Sequence, residues 1–140
     1  MSSRRFITQG EGLPQWSSPI SHAVVVGNTC HISGQLSVDI SGKYIAGTAY
    51  EEADRAFTNF LAVVKAAGFS KDDVVFVDIA FINLADVDGV NVLFAELFAE
   101  GKRPARTIYQ ASALPFGGKI KVTGVAIKDN TSDSPKQSVE

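Results

Sequence analysis

Apolar and polar positions along the chain alternate with two different periods, and the changes of period mark out the elements. Residues 4–9 make a short candidate edge strand, and the Gly- and Pro-containing stretch 10–19 reads as loop. Residues 21–26 and 29–33 are β-rich runs either side of Gly27-Asn28, which predicts a hairpin. Residues 39–43, with Ser41-Gly42, mark another turn. Over residues 49–67, Ala53, Phe57, Phe60, Leu61 and Val64 recur at spacings of three and four, while Glu51, Glu52, Asp54 and Arg55 lie elsewhere on the wheel. This is the pattern of an amphipathic helix, with Thr48 placed to cap its start and Gly68 to follow its end.

Residues 74–84 form a long apolar run rich in β-branched side chains. Val75, Val77, Ile79 and Phe81 alternate with Val74, Phe76, Ala80 and Ile82, so the run reads as a central strand apolar on both faces. A second helix follows, with Asp86 as its cap, a stripe of Val90, Leu93, Phe94 and Leu97, and Gly101 at its end. Pro104 forbids continuation, and two further strands are expected at 106–113 and 119–127. The order implies an α+β sandwich with two helices on one face of a sheet. The other apolar face would be bare in a monomer, which predicts homo-oligomerisation.

A chain of 140 residues, 45% hydrophobic and 20% charged, fits one folded domain over 1–128, with a polar tail at 129–140 expected to be disordered. The net charge of -2 and a pI near 5.7 give no positive field for a phosphate backbone, so nucleic acid is a poor candidate partner. Cys30 is the sole cysteine, which excludes an intrachain disulfide and a thiolate cluster, and suits a reducing compartment. No apolar run is long enough for a signal peptide or a membrane span, so a cytoplasmic location is expected. Two histidines, His22 and His31, leave little room for a metal site, and none is expected.

No phosphate-binding glycine loop, HExxH or GxSxG is present. The more telling cluster is Arg103-Pro104-Ala105-Arg106-Thr107, at a helix-to-strand junction. An arginine there could meet a carboxylate through its planar fork, or form a surface salt bridge. The residues alone favour the salt bridge. Cys30 reads as a buried small hydrophobe and both histidines as structural, while Trp16 is either a lid over a cleft or a packing residue.

Ile32-Ser33-Gly34-Gln35, Val64-Lys65-Ala66-Ala67-Gly68, Val90-Asn91, and Pro104-Ala105-Arg106 with Leu114-Pro115 stand in an order and spacing that resembles the reactive-intermediate deaminase (Rid, YjgF-like) family from about residue 19 to residue 127. The resemblance implies a chorismate-mutase-like sandwich and a homotrimer around a central β-barrel, with ligand clefts between subunits. It implies hydrolysis of small enamines and imines such as 2-iminobutanoate and 2-iminopropanoate to 2-keto acids and ammonia, with no cofactor. Arg106 matches the residue that grips the substrate carboxylate, main-chain groups of Ser33 and Gly34 the cleft wall, and Asn91 a supporting residue. Two positions depart from the pattern. Lys121 stands where active deaminases carry a glutamate, and Ile20 where they carry a tyrosine. Tyr109 is expected to share the face of Arg106 and either supply a hydroxyl or line the barrel, and Lys121 either to meet a second substrate carboxylate or to extend into solvent. The competing function is a non-catalytic carboxylate-binding or regulatory trimer that has lost the glutamate. A ribonuclease is disfavoured by the acidic pI and the lack of a catalytic histidine pair.

Overall fold

A computed structural model describes residues 4–129. The tail expected to be disordered lies outside the described residues except for Asp129. The elements are β1 (Arg4–Ile7), β2 (Ala23–Val26), β3 (Thr29–Gln35), α1 (Ala49–Ala66), β4 (Val74–Phe81), α2 (Val87–Leu97), β5 (Ala105–Gln110) and β6 (Ile120–Ile127). They build one six-stranded mixed sheet in the order β1-β2-β3-β6-β4-β5, in which only β4 and β5 run parallel. That parallel pair requires the crossover that α2 provides. The two expected helices thus pack on a mixed sheet whose edges are β1 and β5.

Helix α1 starts as its sequence predicts. The Thr48 hydroxyl accepts from Glu51 N while the Glu51 carboxyl accepts from Thr48 N, a reciprocal capping box. The second helix begins differently from expectation. Asn83, not Asp86, accepts from the backbone, at Ala85 N, in a single 3-10 turn (Leu84–Asp86) that leads into α2, and Asp86 makes no capping bond. An asparagine in extended conformation places its carbonyl for this role as well as an aspartate does. Nor does Gly101 end α2: Phe98 is already extended and buried, and Gly101 takes a positive φ of 89° in the following turn.

The helix-facing side of the sheet is apolar, with Val77, Ile79 and Phe81 of β4 beside Ile120, Val122 and Ala126 of β6. Phe57, Phe60 and Phe94 of the helices, with Phe98, pack on it in mostly edge-on contacts. Gly124 of β6 makes this contact possible. A Cβ there would overlap the carbonyl of Phe76 and come within 3.0 Å of the Phe60 ring, so the strand carries glycine where the helix presses closest.

Glu52 was expected on the solvent side of α1 and is instead fully buried. Its carboxyl group accepts from Lys119 N at 2.9 Å, from Gly47 N at 3.3 Å and from the Tyr44 hydroxyl, with Lys119 Nζ at 3.5 Å. A buried carboxyl survives only with partners of this kind, and here they bind α1 to the start of β6.

The opposite side of the sheet is not apolar throughout, as the run 74–84 suggested. One row across it is largely apolar: Phe6, Val24, His31, Val125, Phe76 and Ala105. The next row in the middle strands is polar, Thr123, Asp78 and Thr107, with the Thr107 hydroxyl donating to Asp78. A run of aliphatic residues around a single aspartate masks the aspartate's position on the wheel of alternation. At the far end of this face, Ala80 joins a small separate cluster with Leu36, Val38 and Leu114, against which Trp16 packs.

Candidate active site

Arg106 lies on β5 opposite Val77, on the side of the sheet that carries the helices. Because α2 buries Val90, Leu93 and Phe94, the intervening Asn91 is held at the edge of the sheet, where its Oδ1 accepts from Arg106 Nη1 at 2.7 Å. The guanidinium carbon lies 4.9 Å from the centre of the Phe94 ring. Stacking and one hydrogen bond fix the plane of the fork. The salt bridge that the residues alone favoured is not formed: among the described residues no carboxylate lies within ion-pair distance of Arg106, and Asn91 is the one hydrogen-bond partner of its fork. A half-buried, oriented guanidinium with most of its donors unused is suited to a planar anion.

Ser33, Gly34, Lys121 and Tyr109 lie elsewhere. Tyr109 pairs with Ala80 and Ala80 with Lys121, so these two side chains flank a small residue on the face without helices. The expectation that Tyr109 shares the face of Arg106 is therefore wrong. The two are three residues apart on one strand, and an odd separation puts them on opposite faces. Lys121 reaches across to β3, where its stem runs over Gly34: a Cβ on Gly34 would sit 2.8 Å from Lys121 Cδ. Ser33 closes the neighbouring loop, its hydroxyl donating to Ser21 O at 2.6 Å and its N–H to His22 O at 2.8 Å. Between β3 and β5 stand β6 and β4, so one chain does not bring Ser33 and Gly34 to Arg106. Ile20, at the other departure, is exposed.

The loop 10–19 is tied down through His22, which also meets Gln35. His22 is fully buried, its Nε2–H donating to Pro14 O at 2.7 Å while Nδ1 accepts from Trp16 Nε1–H at 2.8 Å. Burial lowers its pKa, against the opposing effect of the Pro14 carbonyl, and both contacts suit the neutral ring. Trp16 stacks on Phe116, and Phe116 on Tyr44. Sequence reading missed Phe116, the one non-glycine residue with positive φ among those described, at 65°. Its place between Pro115 and the Gly117-Gly118 pair was the available signal of an unusual turn. Tyr44 was missed too; burial first, then the Glu52 carboxyl, pushes its pKa up to about 12, which keeps the hydroxyl a donor. Cys30 is fully buried, and desolvation raises its thiol to about 11, a small hydrophobe rather than a nucleophile. Among the described residues no group of three metal-ligating side chains occurs and no helix is long and apolar enough to cross a membrane.

A mixed sheet with two covering helices and an oriented arginine at its edge defines a small protein of the α+β class. Residues 13–128 match the family model described as Endoribonuclease L-PSP, and the chain belongs to that family, the Rid or YjgF-like proteins. The human 2-iminobutanoate/2-iminopropanoate deaminase is 36% identical over 126 residues, which cover 89% of this chain and 90% of the human protein. The goat protein of the same name shows the same identity over the same length. The crystal structure of RidA from a Psychrobacter species superposes with a TM-score of 0.82 at 34% identity, covering 89% of this chain and all of that one.

Proposed function

We propose that this protein is a cofactor-independent, cytoplasmic deaminase that hydrolyses small 2-imino acids of the 2-iminobutanoate and 2-iminopropanoate type, and that it works as a homotrimer around a central barrel. The observation that carries the reading is the Arg106 guanidinium, held flat by Asn91 and Phe94 with its remaining donors unpaired among the described residues. A 2-imino acid offers one permanent charge. A bidentate pair fixes its position and draws electrons from the adjacent imine carbon, to which water adds. The C–N bond then breaks, leaving a 2-keto acid and ammonia. The names borne by the human and goat relatives support this substrate class.

Arg106 and Lys121 lie on opposite faces of one sheet, so a ligand small enough to be an imino acid touches both only where two copies meet. That geometry supports a cleft in which one copy contributes Arg106 and Asn91, and its neighbour Ser33, Gly34, Tyr109 and Lys121. The family model's description suggests ribonuclease chemistry, but His22 is buried with both ring nitrogens engaged, which leaves His31 without a partner histidine. The test is to generate 2-iminopropanoate and 2-iminobutanoate in situ and follow keto-acid release. Wild type should accelerate release over the no-protein rate, and Arg106→Ala should lose nearly all of that acceleration. Equal rates for wild type and Arg106→Ala, or equal binding of pyruvate by both, would sink the assignment.

A further inference from the structure

Among the described residues no counter-charge is paired with Lys121. Among the described residues it makes no hydrogen bond and no ion pair, although the other lysine of this region, Lys119, is paired with Glu52. The nearest acidic residue by register is Asp78, one row away on β4, and its carboxylate is engaged by the Thr107 hydroxyl. The lysine is also not a free surface chain. Its stem is half-buried and laid over Gly34, whose missing side chain leaves the room it occupies, and Ala80 leaves the space between its root and Tyr109 open. A stem laid down in this way costs the side chain rotamer freedom and holds the ammonium group near one place, where an anion could meet it at little further entropic cost.

We infer that Lys121 binds a second carboxylate of the substrate, so that the preferred substrates are dicarboxylic 2-imino acids of four or five carbons rather than simple alkyl ones. This rests on the deaminase reading and on the shared cleft proposed above. In that cleft Arg106 of one copy holds the carboxylate next to the imine carbon, and Lys121 of the other holds the distal one, with the Tyr109 hydroxyl as a neighbouring donor. The chemistry stays balanced: water adds its oxygen to the imine carbon, the C–N bond breaks, and 2-iminosuccinate gives oxaloacetate and ammonia. The lysine enters none of these bond changes. It sets which side chain the cleft accepts.

The experiment compares 2-iminosuccinate with 2-iminopropanoate, each generated in situ by an amino-acid oxidase with catalase, for wild type, Lys121→Met and Lys121→Arg. In parallel, calorimetry gives the affinities of the stable products oxaloacetate and pyruvate, a ratio that is readable even where turnover is slow. Wild type should favour the dicarboxylate in both kcat/KM and affinity. Lys121→Met should lower that preference by about tenfold to a hundredfold, as expected for loss of one charge-assisted pair, and Lys121→Arg should retain most of it. A preference that is absent in wild type, or unchanged in Lys121→Met, overturns the inference while leaving the deaminase reading intact if Arg106→Ala still abolishes turnover. Failure of both keto acids to bind, with no turnover of either imine, overturns the two together.

Discussion

His22 shows how one side chain orders a loop and ties its order to pH. The ring holds Trp16 through Nδ1 and Pro14 through Nε2, and all of its neighbours in this contact, including Gln35 at 3.3 Å, are uncharged. Its pKa is depressed from 6.5 by burial. In the unfolded chain the ring takes up a proton below that value, while the folded chain resists. Stability from this residue is therefore complete above pH 6.5 and declines as pH falls from there toward the folded-state value. Thermal melts between pH 5 and 7.5 should show this slope in wild type and a flatter one in His22→Gln. Equal slopes would mean that the ring is hydrated and free. The role of His22 was legible only in outline. The sequence marks it as structural, because a lone histidine before an apolar strand has no partner in sight, but not as the pin of residues 14–16, since loop contacts follow no period.

At the scale of elements, periodicity located every strand and both helices, and it placed the Thr48 cap correctly. It erred where side chains act against type. Glu52 is charged, so the helical wheel assigned it to solvent, whereas it is the internal clasp between α1 and the loop entering β6. Removing that clasp leaves the N–H groups of Lys119 and Gly47 and the Tyr44 hydroxyl without an acceptor. At about 0.5–1.5 kcal/mol for each hydrogen bond lost, Glu52→Ala should destabilise the fold by roughly 2–4 kcal/mol in urea titration, with Glu52→Gln losing less. A loss below about 1 kcal/mol would show that water reaches the site. Tyr109 was misplaced for a simpler reason: its distance of three residues from Arg106 is odd. The candidate site was readable as residue types, through Arg106 and Asn91, but not as an arrangement, because the order β3-β6-β4-β5 separates residues that the sequence pattern groups together.

For the whole molecule, the unassigned face and the divided site point the same way. Every residue of β5 but Arg106 is exposed, the strand has a free edge, and the face behind it bears the apolar row from Phe6 to Ala105. We expect light scattering at micromolar concentration to give three times the chain mass, about 45 kDa on the 14.9 kDa chain. A mass near 15 kDa would defeat both the trimer and the shared cleft. Replacing Phe76 by Glu should dissociate the assembly and abolish turnover together, although Phe76 is not a residue assigned to the ligand.

The bare edge of β5 has a consequence for the cell as well as for catalysis. A strand that offers unpaired N–H and C=O groups beside exposed side chains can recruit any extended polypeptide. An unassembled copy is then the form most exposed to edge-to-edge association. Solubility and assembly thus depend on the same few residues of one strand.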